Sequence, residues 1–173
     1  MFENLFENIN EKYLGFFHVF FSVFVSLYGI FFKKSRLDYI YILYSVFVVV
    51  TWTFYNGECL VTYYIKKKEN KNYNAGEEST DMKDMYLLFG SKNIVYAMVT
   101  FFVFVNSISV YIVLKRNNYP SFIYYSFPIV NIMYTLAIRI STFKLHENKI
   151  FLFFQEIVKV YVIFILLLIL KVR

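Results

Sequence analysis

The sequence predicts an all-α integral membrane protein, a bundle of five transmembrane helices in one membrane domain spanning 1–173. The alternative is four spans plus an interfacial C-terminal helix. Three observations carry this. The chain is 59% hydrophobic and only 17% charged, whereas soluble domains carry about 25% charged residues. Its 22 Phe and 17 Tyr exceed what a soluble core of this length can bury. The apolar residues fall in runs long enough to cross a hydrocarbon core of ~30 Å, and basic clusters separate several of them. Disorder, collagen and coiled coil are excluded by the same composition, and a single cysteine excludes a disulfide scaffold.

The elements follow in order. Residues 13–32 are apolar or small and lie between Lys12 and Lys33-Lys34-Ser35-Arg36. An acidic leading segment, a long apolar run and no small-residue cleavage site argue against a cleavable signal peptide. The second run, 37–65, continues through Asn56-Gly57-Glu58-Cys59 to Lys66-Lys67-Lys68. It is long for one span and is expected to tilt or project. A polar connection over 66–92 follows. Ser79 or Thr80 can cap a short helix with Met82, Met85, Tyr86 and Phe89 on one face, ended by Gly90 and lying on the membrane surface. The remaining spans are 93–114, 119–138, with Pro128 as a predicted kink, and 150–170. The last contains Gln155, Glu156 and Lys159, but its second half is apolar on all faces, which suits lipid.

Small and weakly polar residues mark the expected packing faces: Gly15, His18, Ser22, Ser26 and Gly29 on the first helix, and Asn93, Ala97, Thr100, Phe104, Ser107 and Tyr111 on the third. Such residues let membrane helices approach closely. Tyr41, Ser45, Val48, Trp52, Tyr55, Cys59 and Thr62 trace the matching stripe on the second. Part of the aromatic excess has another source. Phe, Tyr, Ile, Lys and Asn make up 84 of 173 residues, the bias of AT-rich codons, as in a large DNA virus, a protist, an organelle or a low-GC bacterium.

Alternating spans put the N-terminus and the connections near 66–92 and 139–149 on one side, here side A, and the turns near 33–36 and 115–118 with the C-terminus on side B. Side B holds seven basic residues and one acid, Asp38, so the whole net charge of +6 sits there. Dense, nearly unopposed charge favours side B in the cytoplasm and anionic headgroups as its partners. The polar residues within spans gather on side A: His18, Asn56, Glu58, Cys59, Arg139, Gln155, Glu156 and Lys159. Ionisable groups in a bilayer cost about 2.5–3.5 kcal/mol each on insertion scales, so they pair or face water. A Glu58–Arg139 bridge and a Glu156–Lys159 pair are expected, around a cavity where His18, Glu58 and Arg139 converge. The competing reading is structural pairing and snorkelling near an interface.

Several residues resemble a family motif. His18-Val19-Phe20-Phe21-Ser22-Val23-Phe24-Val25 matches H-x-x-F-x-x-F-V, and Trp52 with Cys59-Leu60-Val61-Thr62 matches W…C-P-L-T. Lys66-Lys67-Lys68, Tyr73 with Gly76, and Asn106 with Tyr111 follow. Over about residues 13–116 the chain resembles a family of small, mainly bacterial multi-span membrane proteins of unknown function. Leu60 replaces the family proline, and Ile65 stands where a glutamate follows the threonine. The resemblance implies a polar cluster on side A and brings no activity.

No catalytic residue is assigned from sequence. Cys59 reads as a packed thiol, since Glu58 beside it disfavours a thiolate. His18 and His146 are too far apart in sequence to argue for a zinc site. Glu77, Glu78, Asp81 and Asp84 form a solvated acidic run without a calcium-loop pattern. No phosphate or dinucleotide loop occurs, and no metal, cofactor or nucleic acid is expected. The functional readings are three: a structural or accessory membrane protein partnered by a second copy or other membrane subunits; a small transporter or channel; and a lipid-modifying enzyme using Glu58 with His18 or Arg139.

Overall fold

The computed structural model describes residues 11–78, 82–140 and 147–171. Among them are seven helices and no strand: α1 Glu11–Phe31, α2 Leu37–Phe54, α3 Leu60–Glu69, α4 Lys83–Phe89, α5 Lys92–Arg116, α6 Ser121–Ile140 and α7 Lys149–Lys171. Five of these, α1, α2, α5, α6 and α7, are long and apolar enough to cross a membrane. The protein is therefore a polytopic helical membrane protein in contact with the lipid bilayer.

The second apolar run is broken rather than continuous to residue 65. Asn56 and Gly57 adopt positive φ (51° and 84°), and Gly57 N–H donates to the Trp52 carbonyl at 2.7 Å. That six-to-one bond is the closing turn of a helix C-terminus. The chain then restarts at Leu60 with Cys59 as the extended N-cap of α3. Consequently α3 is a separate helix rather than a prolongation of the span.

The bundle closes as α1 against α5, α5 against α6, α6 against α7, and α7 against α2, with α2 also touching α5. α7 packs on two neighbours, and its buried Phe151, Gln155, Val158, Val162, Ile165 and Ile169 recur at helical spacing. This makes it a bundle member rather than an interfacial helix. α1 and α2 meet through rings, with Phe21–Tyr44 edge-on at 5.1 Å and Tyr28–Tyr41 stacked at 4.6 Å. Outward-facing Phe, Ile and Leu cover the rest, including Phe17, Phe20, Phe101, Ile129, Phe153 and Leu167. Such a continuous apolar exterior has lipid as its solvent.

The small-residue face of α1 is inward: Gly15, Ser26 and Gly29 are buried. Gly29 is required there, because a Cβ would stand 2.2 Å from the Ser109 carbonyl oxygen of α5. The corresponding face of α5 is not the inward one. Asn93, Ala97, Thr100 and Phe104 are exposed, and Ser107 alone of the candidate packing residues on that helix is buried. Val95 and Val99 take the inner side instead, against Met85. The reason is that α5 is apolar all round, so apolar packing partners rather than a stripe of small residues set its rotation. The short helix α4 also departs from expectation. Its Met85 is buried and it packs on α1, α3 and α5, so protein rather than the membrane surface covers its apolar side. Gly90 ends it in the left-handed conformation, while Ser79 and Thr80 lie outside the described residues.

Side B is tied by one carboxylate. Asp38, at the start of α2, accepts two bonds from the Arg116 guanidinium (2.8 and 2.6 Å) and one each from Tyr28 (2.8 Å) and Asn117 (2.6 Å). Arg116 also reaches the Phe32 carbonyl at the end of α1. Three helix ends thus share one bidentate pair, the strong form of ionic contact. Arg116→Leu leaves Asp38 buried without its cation and is expected to cost about 3–5 kcal/mol. Thermal unfolding in detergent micelles followed by helix content checks this; an unchanged midpoint contradicts it.

Candidate functional site

The break after α2 and the docking of α4 place three side chains from distant parts of the chain together. His18, on the inner face of α1, meets Asp84 of α4 through Nδ1–Oδ2 at 2.7 Å. Its other ring nitrogen, Nε2, lies 3.8 Å from the Cys59 Sγ at the head of α3. Thr62, one turn into α3, donates its hydroxyl to Asp84 Oδ1 at 3.1 Å. Asp84 and Thr62 are fully buried. Burial alone would push the Asp84 carboxyl up. The hydrogen bonds from His18 and Thr62 outweigh it and hold the carboxyl below its usual range. An ionised Asp84 fixes the histidine ring with Nδ1 toward the carboxylate and Nε2 toward the sulfur.

Close backbone packing makes the contact possible. At Gly15 a Cβ would fall 2.3 Å from the Asp84 carbonyl oxygen. Only a residue without a side chain lets α4 approach α1 this closely.

A second polar cluster pins the loop after α3. Glu58, fully buried, pairs with Lys66 at 3.1 Å. It accepts hydrogen bonds from the Tyr73 hydroxyl at 2.9 Å and the Gly76 N–H at 3.3 Å. Burial pushes the Glu58 carboxyl up, and these partners offset that only in part. Burial beside the same carboxylate also raises the Tyr73 hydroxyl. Lys66 reaches on to the Glu78 carbonyl. The expected Glu58–Arg139 bridge therefore does not form. Lys66, one α3 turn pair away, satisfies Glu58, while Arg139 stacks over the Tyr96 ring at 4.8 Å and donates to the Tyr96 carbonyl. Arg139 borders a separate small cleft with Gly57, Tyr96 and Thr135.

The remaining candidates also separate. Asn56 bridges the chain, donating to the Ala75 carbonyl and accepting from Gln155 of α7, both at 2.9 Å. Gln155 in turn accepts from Tyr134 at 3.3 Å. Glu156 is exposed and pairs with Lys159 at 2.6 Å. Of the eight polar candidates, three pairs meet: His18 with Cys59, Asn56 with Gln155, and Glu156 with Lys159 as the sequence predicts; only the first sets a thiol against an imidazole. Sequence reasoning missed Asp84, Thr62, Lys66 and Tyr73 as parts of these clusters. Asp84 lies 66 positions from His18, and nothing in its spacing separates it from the neighbouring acids.

Beside His18, between α1, α2, α5 and α6, lies a hollow of about 90 Å³. Ser22, Tyr44, Ser45, Trp52, Asn106 and Asn131 contribute its polar lining, amid valines, Phe102, Met82 and Met85. The Tyr41 hydroxyl donates to the Asn106 carbonyl oxygen at 2.9 Å, and Asn131 donates to Ser107 at 3.3 Å. Among the described residues, Ser22, Tyr44, the Trp52 indole N–H and the Asn106 amide nitrogen have no hydrogen-bond partner. No group of three or more metal-ligating side chains occurs among the described residues. The chain matches no protein-family model, no curated protein and no solved structure.

Two outcomes follow from this geometry. Gly15→Val forces α4 off α1 and is expected to cost about 1–3 kcal/mol through overpacking, with His18 losing Asp84. The check is unfolding in micelles together with the His18 ring signals by NMR, where an undisturbed ring rules the contact out. Lys66→Met strands a buried carboxylate, a loss of about 3–5 kcal/mol. Adding Glu58→Gln should recover much of it. The single variant's deficit should shrink as pH falls, because a carboxyl raised by burial takes up its proton above the usual carboxylate range and sheds the uncompensated charge. A deficit independent of both changes contradicts the pairing.

Proposed function

We propose that this membrane protein binds, within the bilayer, an amphipathic ligand carrying a carboxylate or ester group on an acyl chain. The observation that supports this reading is the hollow, where Ser22, Tyr44, Trp52 and Asn106 offer donors that no described residue takes up. These four side chains are half-buried, and donors facing a hollow match a ligand rich in acceptors. The apolar walls match its hydrocarbon part. At about 90 Å³ the hollow has the volume of about three waters, enough for the headgroup carbonyl and its first methylenes. The rest of the chain then passes between α1 and α2, where aromatic rings rather than closely packed backbones form the wall.

A purely structural role leaves these donors without a purpose. Transport requires an exit to side B, and the Asp38–Arg116 pair ties three helix ends together there. The likeness to the family with the H-x-x-F and C-P-L-T-like motifs is part of the proposal. Three of the residues that carry it, His18, Trp52 and Asn106, line this hollow, and a fourth, Cys59, stands against His18. A side B facing the cytoplasm, with Lys33 and Lys34 on anionic headgroups, and association with a second copy or other membrane subunits accompany this reading.

Trp52 is the only tryptophan, and it lines the hollow. Stearate brominated near its carboxyl end, added to the protein in nanodiscs, should quench Trp52 fluorescence saturably. Ser22→Phe, which fills the hollow, should remove the saturable part while leaving quenching by bulk brominated lipid. Quenching that stays linear in added stearate, or that Ser22→Phe does not alter, overturns the reading.

A further inference from the structure

We propose that Cys59, His18 and Asp84 form an acyl-transfer centre that takes the ester of the bound ligand onto the Cys59 sulfur. The inference rests on the acyl-ligand reading above and adds covalent chemistry to it. The connectivity is that of an activated nucleophile: a thiol within reach of an imidazole nitrogen (3.8 Å), and that imidazole oriented from its far side by a carboxylate (2.7 Å). Thr62 holds the carboxylate's second oxygen, so Asp84 cannot turn away from the ring. His18, which lines the hollow, stands against the thiol. A ligand carbonyl at the His18 end of the hollow would therefore lie next to the sulfur.

The N–H groups at the start of α3 are the donors nearest in sequence to the thiol for the charge that develops on the carbonyl oxygen. Cys59 is the N-cap of α3, and its own carbonyl accepts the Tyr63 N–H. The preceding N–H groups of the first turn have no partner within the helix. They follow the sulfur-bearing residue directly, as oxyanion donors do.

The step balances as follows. His18 Nε2 takes the thiol proton as the sulfur attacks the ester carbonyl carbon. A carbon–sulfur bond forms, the carbon–oxygen bond to the alcohol breaks, and His18 returns the proton to the departing alkoxide. The products are a Cys59 thioester and a free alcohol. Water then attacks the thioester with His18 as base, releasing the fatty acid and restoring the thiol. No oxidant or metal takes part. Glu58 has no role in it, because Lys66, Tyr73 and Gly76 occupy its carboxylate.

The test uses the full chain in nanodiscs with p-nitrophenyl palmitate. Release of p-nitrophenol is followed in time and intact mass is measured after quenching. Because Cys59 is the only cysteine, a single hydroxylamine-sensitive palmitoyl adduct identifies the site. Expected is one adduct per chain, absent in Cys59→Ala, and formed about a hundredfold more slowly in His18→Gln and Asp84→Asn, the scale of a lost general base or its support. In Cys59→Ala, whose side chain is not part of the hollow's lining, the saturable bromostearate quenching should persist, which a merely structural effect would not leave intact. As a measure independent of any variant, Cys59 in the folded protein should react with the ester at least about tenfold faster than in the detergent-denatured chain. No adduct together with p-nitrophenol release no faster than in Cys59→Ala, or equal rates in folded and denatured chain, or an undiminished rate in His18→Gln, overturns the inference. If stearate quenching survives such a result, the binding reading stands alone; if quenching fails as well, both fall.

Discussion

A carboxylate that is fully buried can persist only if other groups satisfy it, and Asp84 meets that condition by joining three helices. Its oxygens take His18 from α1 and Thr62 from α3, while its own backbone sits against Gly15. α4 is only seven residues long and would not be stable as an isolated helix. Held by this contact and by Met85 beneath it, it becomes the lid of the side-A end. α3 is joined to it through Thr62, and the thiol at the head of α3 faces the histidine that Asp84 holds.

The two ends of the bundle solve the same problem differently. At side B one bidentate ion pair gathers the ends of α1, α2 and α5, and few polar groups remain to be placed. At side A the polar residues are many, and they sort into separate clusters: Asp84 with His18 and Thr62, Glu58 with Lys66 and Tyr73, and Asn56 with Gln155. Each is nearly complete in itself, as buried polar networks must be. The hollow between them stands apart because its donors remain unspent. That contrast, between clusters that satisfy one another and a lining whose donors no described residue takes up, is what the proposed ligand site rests on.

Much of the fold was legible along the chain. Apolar length identifies the spans, because a bilayer demands about twenty apolar residues per helix whatever they pack against. The inward face of α1 was legible too, since Gly15 and Gly29 mark where neighbouring backbones come close. α5 was not: with apolar residues on every side its rotation depends on partners, and Val95 and Val99 won over Ala97 and Thr100. The break at Asn56-Gly57 was visible as residues but not as a break, because both also occur within membrane helices. The site was the least legible. His18 and Cys59 were recognisable as reactive types, but Asp84 resembled its acidic neighbours, and Glu58 chose Lys66 from eight residues along rather than Arg139 from a distant helix.

By itself the sequence determined the medium, the helices and the polarity of the molecule. Composition sets what can be buried or exposed, local periodicity sets helices, and alternating spans predict that the +6 gathers on one side. Only the tertiary structure decided which polar groups meet. Pairing depends on helix rotation, on a turn of one or two residues after α2, and on the docking angle of a short helix. These are set by contacts between residues tens of positions apart, for which no local pattern exists. A carboxylate from the polar connection thereby came to stand behind a histidine of the first span, and a thiol that read as packing came to stand in front of it.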